Sequence, residues 1–166
     1  KVIGYVKKDI ATREAMSEHS FELPAHRFKT KGIWFPVSED TLDEVRRLGF
    51  DCPGGLHAFE HAAIAALPLF ALCDRMDIGG VSYTFSPLLE SPGIFIYDGY
   101  EGGIGLTKRG FDVIKDWFEA TLSLMEDCAC EVSCPSCTQD PQCGNNNDPL
   151  DKRAAMVMIK RWMGKK

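Results

Sequence analysis

The sequence reads Cys128-Ala-Cys130-Glu-Val-Ser-Cys134-Pro-Ser-Cys137 near its C-terminal end, and Cys143 follows after five intervening residues. Five of the seven cysteines of this 166-residue chain therefore lie within sixteen positions. Several disulfides at such short separations would be strained, and a disulfide scaffold spreads its cysteines over distant loops. A metal site is therefore favoured over a disulfide framework.

The spacing Cys134-x-x-Cys137 is typical of a zinc knuckle, in which two thiolates reach one tetrahedral ion. Cys128 and Cys130 can supply the other two ligands from the end of a preceding helix, which leaves Cys143 as a neighbouring or substitute ligand. Four thiolates around zinc leave no open position, so the predicted role of the ion is structural. An iron–sulfur cluster uses the same ligands and stays open as an alternative, while a redox Cys-x-x-Cys would not need the neighbouring cysteines.

The charge is distributed unevenly along the chain. Residues 1–31 carry a net charge of +3, residues 32–151 carry −14 and residues 152–166 carry +6. An acidic body of this kind is not a general binder of polyanions, because phosphate binding depends on dense lysine and arginine. Any contact with nucleic acid is therefore predicted to be local, with the basic C-terminal segment as its first candidate.

Hydrophobic patterns predict an α+β fold, with a small mixed or antiparallel sheet packed against about four helices and a four-cysteine zinc site between the last two helices. Strands are predicted over 2–6, 28–37, 81–85 and 93–97. Helices are predicted from Ser38 to Leu48, from Leu56 to Cys73 with a turn at 53–55 before it, from the glycine-rich loop to Asp127, and from Leu150 onward. The predicted buried stripes are Phe111, Ile114, Phe118, Leu122 and Met125 on the third helix, and Met156, Ile159 and Met163 on the fourth.

The sequence His57-Ala-Phe-Glu60-His61 matches H-x-x-E-H, the inverted zincin motif. On a helix the two histidines lie one turn apart and could share a zinc ion, with Glu60 polarising a water molecule. Three fixed residues are a weak signal, and no third acidic ligand is evident. The favoured interpretation is structural, with the histidines bonded to carboxylates such as Asp74, Asp77 or Asp98.

The glycine-rich segment 99–105 follows a predicted strand and precedes a helix, as phosphate-binding loops do. It fits neither nucleotide-binding consensus, and Glu101 would lie against a bound phosphate. A tight turn that needs positive φ is the favoured interpretation. The chain therefore contains no catalytic or ATPase apparatus of its own that the sequence identifies.

Several segments together resemble a known family: 55–61, 72–80, 94–105, the cysteine run and 147–152, with 28–34 as a preceding strand. The resemblance is to the C-terminal zinc-binding domain of the mitomycin repair factor A-like family of superfamily-2 DEAD/DEAH-box helicases. It implies one accessory domain over 1–166 of a longer helicase, with a sheet and linking helix in 1–50 and the specific block in 51–166, which includes the cysteine cluster at 128–143. It also implies the metal ligands Cys128, Cys130, Cys134 and Cys137.

The same resemblance implies partners and cofactors. RecA-like lobes of the parent chain would bind ATP and Mg²⁺ and move 3′ to 5′ on single-stranded DNA, while this domain would hold one structural zinc. The predicted nucleic-acid contacts are Arg153, Lys160 and Arg161 on one side of the last helix. We therefore expect a cytoplasmic domain without membrane contact that supports a DNA repair helicase. The alternatives are a zinc-dependent hydrolase that uses His57, Glu60 and His61, and a pure protein-interaction module.

Overall fold

Two antiparallel sheets and five α-helices make up the described part of the chain, residues 4–22 and 27–165 of a computed structural model. The first sheet is a hairpin of β1 (Gly4–Lys8) and β2 (Ala15–Ser20), and most of its residues are exposed. These elements confirm the predicted α+β class, with two small sheets in place of one. Residues 2 and 3 of the first predicted strand lie outside the described residues.

The second sheet contains β3 (Gly32–Pro36), β4 (Ile78–Ser86) and β5 (Ser91–Asp98), with β5 in the centre. Side chains alternate along β3, so that Ile33 and Phe35 are buried between exposed neighbours. They lie opposite two fully buried isoleucines of β5, Ile96 and Ile94 respectively. This face of the sheet packs against the helices and forms one side of the core.

The helices are α1 (Glu39–Arg47), α2 (Cys52–Ala66), α3 (Leu106–Asp112), α4 (Ile114–Glu126) and α5 (Lys152–Trp162). Helix α2 is buried along nearly its whole length between the sheet, α4 and α5. Its backbone approaches α5 closely, because a Cβ atom on Gly55 would lie 2.6 Å from the Cβ atom of Ala154. No helix within the described residues has both the length and the hydropathy that a membrane crossing requires.

The start of α1 agrees with the prediction from local sequence, whereas the start of α2 does not. Helix α1 begins after Ser38, as the predicted helix start indicates, and the Ser38 side chain caps it by accepting a hydrogen bond from the amide of Thr41. The turn predicted at 53–55 is wrong, since those residues form the first turn of α2. Asp51 caps this helix by accepting from the amide of Gly54 at 2.6 Å, and Pro53 is tolerated there because first-turn amides have no helical acceptor.

The predicted third helix is divided at Val113 into α3 and α4. Phe111 consequently does not join the buried stripe and is 64% exposed, whereas Phe118 and Met125 of α4 are fully buried. The stripe predicted on α5 is also only partly right. Ile159 is buried as predicted, but Ala154, Ala155 and Met158 are also buried and were not in the predicted stripe, while Met156 and Met163 are only half-buried.

Candidate metal centre

Four cysteine thiols meet between the end of α4 and the start of α5. The Sγ atoms of Cys128 and Cys134 are 3.4 Å apart, as are those of Cys130 and Cys137, and those of Cys134 and Cys137 are 3.6 Å apart. All four Sγ atoms lie within 4.8 Å of one another. Sulfurs bonded to one zinc ion at about 2.3 Å are about 3.8 Å apart, so the arrangement fits a tetrahedral zinc site.

The close contact of the sulfurs also bears on the kind of metal. Thiols at these separations leave room between them for a single ion, whereas an iron–sulfur cluster must fit several iron and sulfide ions between its thiolates. Thiolates are soft ligands that suit zinc. The geometry therefore favours one zinc ion over a multi-iron cluster.

A tight turn of the backbone places Cys134 and Cys137 on the same side of the loop. The carbonyl oxygen of Cys134 accepts hydrogen bonds from the amides of Cys137, Thr138 and Gln139 at 3.0–3.2 Å. A hydrogen bond with the Cys128 thiol, helped by the Ser136 amide, lowers the pKa of Cys134 to about 6. Burial raises the pKa of Cys137. Of these two thiols, Cys134 therefore ionises more readily than Cys137.

Lys152 also belongs to this site. The sequence indicated only that it is one of the basic residues of the C-terminal segment. Its side chain is buried, and its ammonium group donates to the carbonyl oxygens of Cys128 and Cys130. Its backbone amide donates to the carbonyl of Val132 at 2.9 Å. A zinc ion with four thiolates carries a net negative charge, so a buried cation beside it provides compensation. The sequence held no signal for this role, because the loop that brings the carbonyls to Lys152 is irregular.

We expect Lys152→Met to lower the free energy of unfolding by about 2–4 kcal/mol and to weaken zinc binding. Methionine keeps an unbranched apolar stem but leaves two carbonyls without their donor and removes the compensating charge. Urea unfolding and competition with a zinc chelator measure the two effects. Lys115→Met, at an exposed position, is the control and should change stability by less than about 0.5 kcal/mol. Equal stability and zinc affinity for the two variants would contradict this role.

Cys143 lies outside the four-cysteine cluster, contrary to its expected place as a neighbouring or substitute ligand there. Its Sγ atom is 3.3 Å from Nε2 of His57, and both join His61 in a second group whose potential ligand atoms all lie within 4.8 Å of one another. The rings of His57 and His61 are 4.3 Å apart between centroids. The predicted one-turn spacing on a helix therefore does bring the two histidines together.

The partners predicted for the histidines are wrong. The Nδ1 atom of His57 bonds to the carbonyl of Pro149, and that of His61 bonds to the carbonyl of Thr138, each at 2.8 Å. Asp74 and Asp77 instead form a capping box at a short 3₁₀ turn. Asp98 accepts hydrogen bonds from backbone amides of the glycine-rich loop. The long loop between α4 and α5 provides both carbonyls. Nothing in the sequence around the histidines predicted that this loop would lie against them.

Glu60 and His61 are buried beside a cavity of about 670 Å³. Burial raises the pKa of Glu60 to about 7, with a further increase from the charge of Asp140 and an opposing effect of hydrogen bonds with Ser82. Burial also lowers the pKa of His61 to about 4, so its ring is neutral at physiological pH. Asp140 itself is paired with Arg75, with 2.7 Å between carboxylate oxygen and guanidinium nitrogen.

The glycine-rich loop has the predicted positive φ values, 79° at Gly102, 73° at Gly103 and 97° at Gly105. At Gly103 a Cβ atom would also lie 2.5 Å from Cγ of Lys31, so the loop packs closely against the segment before β3. Several of the backbone amides that could donate hydrogen bonds to a phosphate instead donate to the carboxylate of Asp98. The loop is therefore a turn anchored by an internal carboxylate.

Comparison with known proteins identifies the family. A family model described as the MrfA Zn-binding domain matches residues 59–138, which include the second half of α2 and all four clustered cysteines. An uncharacterized protein of Methanocaldococcus jannaschii, MJ1572.1, is 36% identical over 111 residues, covering 65% of this chain and 99% of that protein. The chain belongs to the family of MrfA zinc-binding domains.

Two helicases are among the relatives of this zinc-binding domain. The ATP-dependent helicase YprA of Bacillus subtilis is 30% identical over 140 residues, and the ATP-dependent helicase HRQ1 of Saccharomyces cerevisiae is 26% identical over 177 aligned positions. The matches cover 80% and 98% of this chain. The chain spans only 17% and 16% of the two helicases, so most of each relative lies outside the matched part.

The fold also matches solved structures of the DUF1998 helicase MrfA. The structure of MrfA bound to DNA matches 95% of this chain with a TM-score of 0.62 and 26% identity, and the chain covers 20% of it. The structure with DNA and AMPPNP matches 92% of the chain with a TM-score of 0.59, and the chain covers 18% of it. The fold of this chain thus resembles about one fifth of MrfA, which is a much longer protein.

The three basic residues predicted to contact DNA all contact other parts of this zinc-binding domain. The Arg153 guanidinium lies over the ring of Phe50, 4.8 Å from its centroid. Lys160 pairs with Glu126 at 2.7 Å, and Arg161 pairs with Glu44 at 2.9 Å. Both ion pairs are partly exposed. The DNA contact of these residues stays a prediction.

Proposed function

We propose that this chain is a structural-zinc accessory domain of an ATP-dependent DNA helicase that acts in DNA repair. In this proposal residues 1–166 form a single domain, with the sheet and linking helix in 1–50 and the block typical of the family in 51–166. RecA-like lobes elsewhere in the same protein bind ATP and Mg²⁺ and move 3′ to 5′ along single-stranded DNA. The domain packs against these lobes and supports DNA binding and translocation.

The four-cysteine cluster gives the domain its proposed internal anchor. Cys128, Cys130, Cys134 and Cys137 are the proposed ligands of one zinc ion, and their thiol separations of 3.4–3.6 Å support this. Four thiolates occupy all positions of the ion, so it holds the end of α4 against the start of α5 and takes part in no reaction. The orientation of α5 then depends on the zinc.

The observation that carries the DNA role is the match of 95% of the chain to a helicase whose structure was solved with DNA. Within the domain, Arg153, Lys160 and Arg161 on α5 are the proposed contacts with the strand. Exposed ion pairs contribute little, typically below about 1 kcal/mol, so Lys160 and Arg161 can exchange their carboxylate partners for phosphates at small cost. Such contacts depend on salt and are indifferent to base sequence.

Reversal of these three charges tests the proposal in the complete helicase. We expect Arg153→Glu, Lys160→Glu and Arg161→Glu together to weaken single-stranded DNA binding at least about tenfold at low salt, and to reduce the slope of log K against log salt by about 2. Fluorescence anisotropy with a labelled oligonucleotide at several salt concentrations measures both quantities. Glutamine variants at the same positions remove the attraction to the DNA phosphates without adding negative charge, so they separate the loss of attraction from the added repulsion.

The matched control is the combined Lys29→Glu, Lys108→Glu and Lys115→Glu variant, which changes the net charge equally at exposed positions elsewhere. It should keep most of the affinity. If the α5 variant binds DNA as the unchanged helicase does, the DNA role of this face is wrong. The acidic body of the domain would then favour the protein-interaction alternative, in which the zinc stabilises a docking surface.

A further inference from the structure

A second group of metal-ligating side chains lies outside the four-cysteine cluster. His57 and His61 project from the same side of α2, one helical turn apart, and Cys143 approaches them from the loop between α4 and α5. The Cys143 sulfur is 3.3 Å from Nε2 of His57. Ligands of one tetrahedral zinc ion are about 3.4–3.6 Å apart when imidazole and thiolate are combined, so the group has the dimensions of a metal site.

Both histidines are held in the tautomer that a metal ligand needs. A carbonyl oxygen only accepts hydrogen bonds, so the ring nitrogens bonded to Pro149 and Thr138 must carry protons. In each ring this leaves Nε2 with a free lone pair. Metal-ligating histidines are usually oriented in this way, with the second ring nitrogen donating to a carbonyl or carboxylate.

The thiol of Cys143 is also arranged as a ligand. Its sulfur accepts hydrogen bonds from the amides of Asn145 and Asn147 at 3.4 Å and 3.3 Å. These two amides fix the position of the sulfur, in the way that hydrogen bonds from surrounding groups orient metal ligands. Two imidazole rings and one thiol thus converge, and hydrogen bonds with the backbone fix the orientation of each of them.

We propose that Nε2 of His57, Nε2 of His61 and Sγ of Cys143 bind a second transition-metal ion, and that this ion is zinc. Two imidazoles and one thiolate are ligands that zinc prefers over magnesium or calcium. Three protein ligands would leave the fourth position of the ion open, and all three line the cavity that Glu60 and Asp140 also line. A water molecule or a small anionic ligand can occupy that position.

The two metal sites are joined through adjacent residues. Cys137 belongs to the first cluster, and the carbonyl of its neighbour Thr138 holds the ring of His61. The second ion therefore fixes the loop between α4 and α5 to α2, whereas the first fixes that loop to the ends of α4 and α5. This inference does not depend on the proposed DNA role, and its test does not use DNA.

Metal content of the chain, purified without chelator, tests the second site directly. We expect two zinc ions per chain, one in Cys143→Ala and two in Cys73→Ala, which removes a cysteine outside both groups. Cys134→Ala should lose the other ion and keep the one bound by the histidines. One zinc ion in the unchanged chain, or the same metal content in Cys143→Ala as in the unchanged chain, would overturn the proposal.

X-ray absorption at the zinc edge on the unchanged chain gives a second measurement, which does not depend on the folding of any variant. Two sites of the proposed kinds give about 2.5 sulfur and about 1.5 nitrogen or oxygen neighbours per zinc, with the outer-shell scattering of imidazole. A four-sulfur environment without imidazole would overturn the second site and leave the four-cysteine site intact. Failure of the second site is thereby distinguished from failure of the structural zinc.

Discussion

Cys137→Ser is expected to release the zinc ion of the four-cysteine cluster and to lower the free energy of unfolding by about 3–5 kcal/mol. Cys137 is 3% exposed and packs against the core, so its loss leaves a weak oxygen ligand at a buried position. The connection from Asp127 to Asp151 contains no helix or strand and depends on the cluster for its path. Without the ion this connection regains conformational entropy, while the core around α2 keeps the chain folded.

Three measurements on the same samples check this result. Zinc content should fall by one ion per chain, the thermal midpoint should decrease, and amide exchange should increase over 128–139 more than in α2. Cys73→Ser is the matched control, because it replaces a half-buried thiol outside both groups of ligands. A Cys137→Ser protein that kept its full zinc content and its thermal midpoint would disprove the structural role of the ion.

Local sequence signals predicted the parts of the fold that local physics decides. The helix start at Ser38 depends on residues up to three positions away, and the strand predicted over 28–37 depends on the β-branched and aromatic residues of one short run. The spacing of the four cysteines predicted a cluster because the shortest loops between them allow few other arrangements. These features were readable without any knowledge of the rest of the chain.

Features that depend on distant segments were not predictable in the same way. Cys143 and His57 are 86 positions apart, and Pro149 reaches the same ring across 92 positions. The helical start at Pro53 was missed because Pro-Gly-Gly is typical of turns, and burial against α5 outweighs that preference. The division at Val113 was likewise not predictable from the hydrophobic spacing, because that spacing continues through it.

The second large effect is expected for Asp98→Asn, which should lower the free energy of unfolding by about 3–5 kcal/mol. The carboxylate of Asp98 is fully buried at the end of β5. Its two oxygens accept five hydrogen bonds at 2.7–3.2 Å, from the amides of Ile104, Gly105, Leu106 and Thr107 and from the Thr107 hydroxyl. An asparagine has only one acceptor oxygen. Its NH₂ group would replace the other carboxylate oxygen, and the groups that donate to that oxygen would lose their acceptor.

The effect of Asp98→Asn should depend on pH in a defined direction. Burial alone would raise the pKa of Asp98, but the hydrogen bonds from Thr107, Gly105 and Ile104 outweigh it and lower the pKa below its ordinary value of 3.8. The ionised form is therefore favoured in the folded state. The stability that it contributes is fully present above about pH 5, begins to decrease near the ordinary pKa of 3.8, and is lost as the pH falls through the lowered pKa.

Urea unfolding of both proteins between pH 3 and pH 8 tests this argument. The difference in unfolding free energy should be constant above about pH 5 and should shrink below the ordinary pKa, because the acid form of Asp98 loses its advantage over asparagine. Asp116→Asn, at an exposed carboxylate, is the control and should cost less than about 1 kcal/mol. Since Asp98 joins β5 to the glycine-rich loop and to α3, a small and pH-independent difference would mean that other contacts hold this junction together.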